Sequence, residues 1–188
     1  MADIHCNTAA LKLALNKLSG VVDEVVVAGD AVSEYRFSPD VIGMIRRGHF
    51  PYVLGNHEMA LLGPNGERAR SRPDVVQAGV HFMAEQPTRL NLRMAGRTVT
   101  IIHASPWPPY DSYLGPDDPL WRRCDELDTD FLITGHTHRP AVRVVGRTTI
   151  VNPGSLGDSH VSPGGGSYAI LDLASGEVEM VSIASDIR

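Results

Sequence analysis

Cysteine is scarce in this chain of 188 residues: Cys6 and Cys124 are the two present. Two cysteines are too few for a disulfide framework, and they offer no cysteine pair of the kind structural zinc prefers. Long apolar runs are missing as well. None reaches the length that spans a bilayer, so no membrane association is expected. The early stretch 9–18 carries Lys12, Asn16 and Lys17, too polar for the core of a secretory signal. Basic charge is in deficit, with 17 Lys and Arg against 22 Asp and Glu, a formal charge of -5 and a pI of about 5.9. An extended nucleic-acid surface needs clustered Lys and Arg, so this balance argues against such a partner. It leaves open a small phosphorylated substrate bound locally. There is no internal repeat and no low-complexity linker. A reducing cytoplasm is the expected compartment.

What the chain does have is a globular composition, with 43% hydrophobic and 21% charged residues. Its length suits one domain, 1–188, large enough to bury a core. Four apolar, β-branched runs each end in a polar cluster. They are EVVVAGD, ending at Asp30; PYVLGNHE, with Asn56 and His57; TVTIIHAS, with His103; and DFLITGHTH, with His136 and His138. Such runs read as buried strands. Residues at the carboxyl ends of strands in an open α/β sheet converge on one crevice, so clusters far apart in sequence are expected to meet.

Helices fit between the runs. Asn7 is a cap for a helix with Leu11, Leu15 and Leu18 on one face, ending near Gly20. Ser38-Pro39 is a cap and first-turn pair, and Gly48 a stop, for a second helix. A third covers part of 73–85. After His138 the pattern changes to two hairpins, turning at Gly146-Arg147 and at Ser175-Gly176. Together they suggest a second, mainly antiparallel sheet packed on the first. Three Gly- and Pro-rich stretches, 63–73, 106–119 and 154–166, read as loops. The second follows His103 and carries Trp107, Tyr110 and Tyr113, a candidate wall for the crevice.

The clusters hold Asp3, His5, Asp30, Asn56, His57, His103, His136 and His138. Imidazole and carboxylate together suit divalent Mn, Fe, Ni or Zn. Two ions need two groups of ligands and a bridge, and a carboxylate is the natural bridge because its two oxygens can face two ions.

In order, DIH, GD, GNHE, H and GHTH resemble the signature of the calcineurin-like metallophosphoesterases. VNPGSLG, HASPW and the closing SYAILDL are similar to the small bacterial and archaeal phosphodiesterase branch. The resemblance runs over nearly the whole chain. It implies an α/β fold, a four-layer αββα sandwich, and two sites for divalent metal ions, manganese first among them. Asp3, His5, Asp30 and His138 would hold one ion. Asp30, Asn56, His103 and His136 would hold the other, with Asp30 bridging. His57 would face the substrate phosphate and Glu58 would orient it. The implied reaction is phosphoester hydrolysis, of diesters in preference to monoesters, by a hydroxide bridging two cations about 3.5–4 Å apart. A non-catalytic interaction scaffold of the same fold is the alternative. A nuclease acting on long DNA is disfavoured by the acidic balance.

The pattern departs from the family at the start. The hydrophobic strand that should end in the first Asp-x-His is absent, and Cys6 stands where the family usually has Gly. Asp3 and His5 are therefore expected as ligands without an anchoring strand, at a terminus that frays and leaves the first site the looser one. Cys6 is read as a tolerated small residue rather than an extra soft ligand. His49, His81 and His160 are read as structural or surface residues, and 152–155 as a turn beside the site. Arg68, Arg70 and Arg72 read as solvated loop arginines, while Arg139, next to His138, has a better claim on a phosphate.

Overall fold

The structure, a computed structural model, describes residues 1–157 and 165–183. Helix α1, Thr8–Leu18, starts where Asn7 Oδ1 accepts the Ala10 N–H at 3.0 Å, and buries Leu11, Ala14 and Leu18. Helix α2, Pro39–Arg47, starts where Ser38 Oγ accepts the Val41 N–H at 3.3 Å. Its buried face is Val41, Ile42 and Ile45. Strands β1, Val27–Ala28, and β2, Tyr52–Val53, pair in parallel. Helix α3, Asn56–Leu62, follows β2 directly, and the stretch expected as loop contains a 3₁₀ turn and the short helix α4, Glu67–Arg70. Helix α5, Gln77–Ala84, falls inside 73–85 as expected.

Next come β3, Arg89–Met94; β4, Arg97–Ile102; β5, Phe131–Ile133; β6, Ala141–Val145; and β7, Thr148–Asn152. They form one mixed sheet in the order β3-β4-β5-β7-β6, with β4, β5 and β7 parallel. A 3₁₀ helix, Pro119–Glu126, precedes β5, and the hairpin of β8, Gly166–Leu171, and β9, Val178–Ile183, closes the described chain.

The two expected hairpins both form, but they do not make one sheet together. β7 pairs in parallel with β5, Leu132 opposite Ile150, which draws β6–β7 into the sheet of β4 and β5. The β8–β9 hairpin goes to the other layer. There Ser167 N–H donates to Ser155 O, Leu156 N–H to Ala2 O, and Ala28 N–H to Met1 O. A continuous hydrogen-bonded layer thus runs from β2 through β1, residues 1–3 and 155–157 to β8 and β9.

That layer also corrects the expectation of a frayed start. No strand is assigned ahead of α1, yet Ala2, Asp3 and Ile4 are fully buried. Asp3 N–H donates to Gly29 O at 3.1 Å, His5 N–H to Asp30 O at 3.0 Å, and Gly157 N–H to Asp3 O at 3.0 Å. The segment is wedged between two lanes of backbone, and that pairing anchors it.

Burial defines the layers. Ala2, Ala28 and Val53 of one sheet pack on Val99, Ile101, Phe131, Ile133 and Val151 of the other. On the outside of the first sheet, α1, α2 and α5 contribute Leu11, Ile42 and Met83 to a second cluster. On the outside of the other, Trp107, Trp121 and Cys124 cover Leu132 and Ile150. The arrangement is αββα, with a 3₁₀ helix in place of an α-helix in the last layer. Among the described residues, no helix is long and apolar enough to cross a membrane.

Candidate metal centre

Five of the seven ligand candidates sit just after a strand, where the backbone turns sharply, while Asp3 and His5 lie in the irregular segment ahead of α1. Asp30 follows β1 by one glycine, Asn56 opens α3, His103 follows β4, and His136 and His138 follow β5. Asp3, His5, Asp30, His136 and His138 all have positive φ, between 47° and 69°. Left-handed backbone at a non-glycine residue costs roughly 1–3 kcal/mol and persists only where the surroundings enforce it. Here tertiary hydrogen bonds do so: His136 N–H donates to both Asp3 carboxylate oxygens, at 3.0 and 3.2 Å, and His57 N–H to Asp30 Oδ1 at 3.0 Å. The glycines of GD and GNHE have steric reasons. A Cβ on Gly29, at φ 83°, would lie 2.5 Å from His103 Nδ1, and one on Gly55 would lie 2.2 Å from Asp30 Oδ1. Each makes room for a ligand candidate delivered by another block.

Three groups of side chains converge: Asp3, His5 and His138; His5, Asp30 and His57; and Asp30, His103 and His136. Within each, one donor atom per residue lies within 4.8 Å of the others. Because the middle group shares His5 with the first and Asp30 with the last, the centre is continuous, and Asp30 stands between its ends. His5 Nε2 and His138 Nε2 are 3.0 Å apart, and His138 Nε2 is 3.3 Å from Asp3 Oδ1. His103 Nε2 lies 3.3 Å from Asp30 Oδ2 and 3.0 Å from Asn56 Oδ1. Nitrogen lone pairs and carboxylate oxygens aimed at common points fit divalent cations. Two outer contacts strengthen that fit. His103 Nδ1 is 2.9 Å from Ala28 O, and His136 Nε2 is 3.1 Å from Asp111 O. Donating one ring N–H to a carbonyl turns the other nitrogen's lone pair toward a cation. Tyr113 stacks on His136 with ring centroids 3.8 Å apart.

Electrostatics differ along the centre. Burial works to lower the His103 pKa, but the hydrogen bond and charge of Asp30 prevail and lift it to about 9. Burial works to raise that of Asp30, and the His103 hydrogen bond and the charges of His103 and His57 bring it below the usual carboxylate range. His5 and His136 are both lowered, chiefly by burial.

Glu58 is not placed to orient His57. It is fully buried, and its carboxylate accepts the N–H groups of Asp30, Val32 and Gly55 at 2.8, 2.9 and 2.7 Å. It braces the Asp30 turn instead. Burial, then the Asp30 charge, push its pKa up to about 7. The His57 ring is held at Nδ1 by the Glu34 N–H at 2.5 Å, and its Nε2 is 3.7 Å from Asp30 Oδ2. The three backbone bonds of Glu58 had no sequence signal beyond its place in GNHE.

The remaining candidates fall outside the centre. Cys6 Sγ donates to Arg36 O at 3.3 Å and belongs to none of the three groups. His49 and His81 are exposed, while His160 lies outside the described residues. Arg70 is a staple, donating to Leu61 O and Gly63 O, and Arg72 pairs with Asp74. Asn152 shapes a turn as expected, donating to Gly135 O and accepting the Gly154 N–H. Beside Asn56 and His103 opens a cavity of about 670 Å³, walled by Leu54, Met59, Arg89, Ser105 and Tyr110.

A family model, the calcineurin-like phosphoesterase superfamily domain, matches residues 1–176. The uncharacterized protein MJ0912 of Methanocaldococcus jannaschii is 24% identical, covering 100% of this chain and 87% of that protein. Among solved structures, a hypothetical protein from Pyrococcus horikoshii matches with a TM-score of 0.83 at 18% identity, over 100% of this chain and 87% of that one. A metallophosphoesterase from Sphaerobacter thermophilus matches at 0.76 and 24%, over 97% and 86%. An archaeal phosphodiesterase matches at 0.65 and 18%, over 97% of each chain. At these identities the structural likenesses establish the fold.

Proposed function

The chain belongs to the calcineurin-like phosphoesterase superfamily, and from that premise we propose that it hydrolyses a small phosphodiester at a centre holding two divalent cations. The observation that carries this reading is the continuity of the donor groups through His5 and Asp30, beside an open cavity. One group is Asp3, His5 and His138 with Asp30; the other is Asn56, His103 and His136 with Asp30. Oxygen and imidazole donors without thiolate suit manganese, with iron, nickel or zinc as substitutes. Two bound cations would neutralise the phosphate and lower the pKa of a water at the centre.

The chain's own residues do the rest. Asp30, braced by Glu58, keeps one oxygen on the His57 amide and the other toward His103. Asn56 adds a donor oxygen without adding negative charge beside an anionic substrate. His57 keeps 27% of its side chain exposed. With Nδ1 accepting from Glu34, its ring proton sits on Nε2, where it can donate to a phosphoryl oxygen or to the departing oxygen.

The test is bound metal per chain after loading with manganese, together with hydrolysis of bis(p-nitrophenyl) phosphate. Two equivalents and turnover are expected. His57→Ala should keep the metal and the fold while turnover falls about 10²–10³-fold. A loaded protein that hydrolyses no ester, or a His57→Ala variant as active as the parent, would sink the mechanism and leave the scaffold reading.

A further inference from the structure

The cavity beside Asn56 and His103 has a wall that metal chemistry alone does not require. Met59 is three residues after Asn56 on α3, so the two share a helix face. Met59 is 53% exposed and Tyr110 67% exposed, and both line the cavity. Tyr110 is held by its backbone, whose carbonyl accepts the Ser105 N–H at 3.1 Å, while its ring stays in the open. Large apolar side chains kept in water at the mouth of a cleft mark a place for an organic group.

Arg89 completes this wall. In the β3–β4 ladder it stands opposite Ile102, one residue before His103, so it lies beside the strand end that delivers a ligand candidate. Strand alternation turns Leu90, Leu92 and Met94 toward the core and leaves Arg89 on the open face. Arg89 Nε donates to Asn91 Oδ1 at 3.1 Å, and Asn91 Oδ1 also accepts from the buried Thr100 Oγ1 at 3.0 Å. The guanidinium is thereby aimed by a chain of hydrogen bonds rooted in the sheet. Among the described residues no carboxylate pairs with it, although the chain carries an acidic excess. With Nε engaged, the two terminal nitrogens present the edge that takes an anion with two parallel hydrogen bonds.

We propose that Arg89 is a specificity residue for a second anionic group on the substrate. The preferred ester then has an organic moiety lying against Met59 and Tyr110 and carrying a further phosphate or carboxylate. This inference rests on the phosphoesterase reading above. It is tested with two chromogenic esters that differ in one group: the p-nitrophenyl ester of thymidine 5′-phosphate, and the same ester with an added 3′-phosphate.

The wild-type protein should prefer the 3′-phosphorylated ester by about tenfold in kcat/KM. Arg89→Ala should bring that ratio close to one, and Arg89→Lys, which keeps charge but loses the planar fork, should fall between. No preference in the wild type, or one that survives in Arg89→Ala, would overturn the inference. A calorimetric comparison on manganese-loaded protein separates it from turnover, with thymidine 3′,5′-bisphosphate set against thymidine 5′-phosphate. If neither ester is hydrolysed, the phosphoesterase reading falls. The binding ratio and its response to Arg89→Ala still decide the role of Arg89.

Discussion

His5 and His138 keep 13% and 19% of their side chains exposed, whereas His103 and His136 are each only 5% exposed. The residue types are alike at the two ends of the centre, and the difference lies in how they are held. His103 leaves a six-residue strand and is fixed at Nδ1 by Ala28 O. Asp3 and His5 sit in an irregular segment wedged between β1 and residues 155–157, and His138 in the turn after β5. Donor chemistry sets which ions fit each end. Burial and bracing set how strongly protons compete for the donors and how freely the donors move.

The largest way to test that comparison is to remove what the two ends share. Asp30→Asn should lower turnover by about 10²–10³-fold and weaken both manganese equivalents. His138→Ala should cost one equivalent and spare the other. Metal titration of the two variants checks this, and loss of both equivalents in His138→Ala would show that the ends do not load separately.

Protons should distinguish them next. His103, with its pKa lifted to about 9, must release a proton before it can ligate. Manganese affinity at that end should therefore drop roughly tenfold for each pH unit below 9. His5, lowered by burial, is already neutral at pH 7, so its own proton does not compete with the metal from pH 7 to 9. In the metal-free protein the raised His103 adds stability that is full below its unfolded value of about 6.5 and lost as pH rises through 9. Calorimetric titrations at pH 7, 8 and 9 check the contrast, and parallel slopes at both ends would break it.

The smallest effect concerns the wedge. Ser155 Oγ donates to Asp3 O at 2.8 Å inside the fold. Ser155→Ala should cost about 1 kcal/mol and a few degrees of Tm. It should weaken the exposed end by a few-fold and leave the buried end unchanged. A variant as stable as the parent would mean that backbone pairing alone seats residues 1–4.

Much of the centre is legible in the sequence because its chemistry is local to strand ends. Val25 to Ala28, Tyr52 to Leu54 and Phe131 to Ile133 are apolar, and each run is followed, in the last case after Thr134, by a glycine and a polar ligand type. The caps at Asn7 and Ser38 are legible for the same reason: one side chain meets an N–H within three residues. Helix α3 is harder to read. It starts on Asn56 itself, after a glycine that provides no side-chain cap, so the one local signal at its opening is Glu58 three residues on, which accepts the Gly55 N–H. Strand β3 alternates Leu90, Leu92 and Met94 with polar residues, but its role as a wall of the cavity depends on pairing with β4.

The sequence by itself determined the donor types, their order along the chain, the strand ends that carry them and the family. It also determined that no cysteine set competes for the metals. Only the tertiary structure decided that β6–β7 and β8–β9 join different sheets, because lateral strand pairing is set by packing between distant segments. Only the tertiary structure turned Glu58 from His57 toward the Asp30 turn, seated the first residues between two backbone lanes, and held five ligand candidates at positive φ. Those features are hydrogen bonds between residues some 26 to 152 positions apart. Such bonds exist only after the chain has closed on itself.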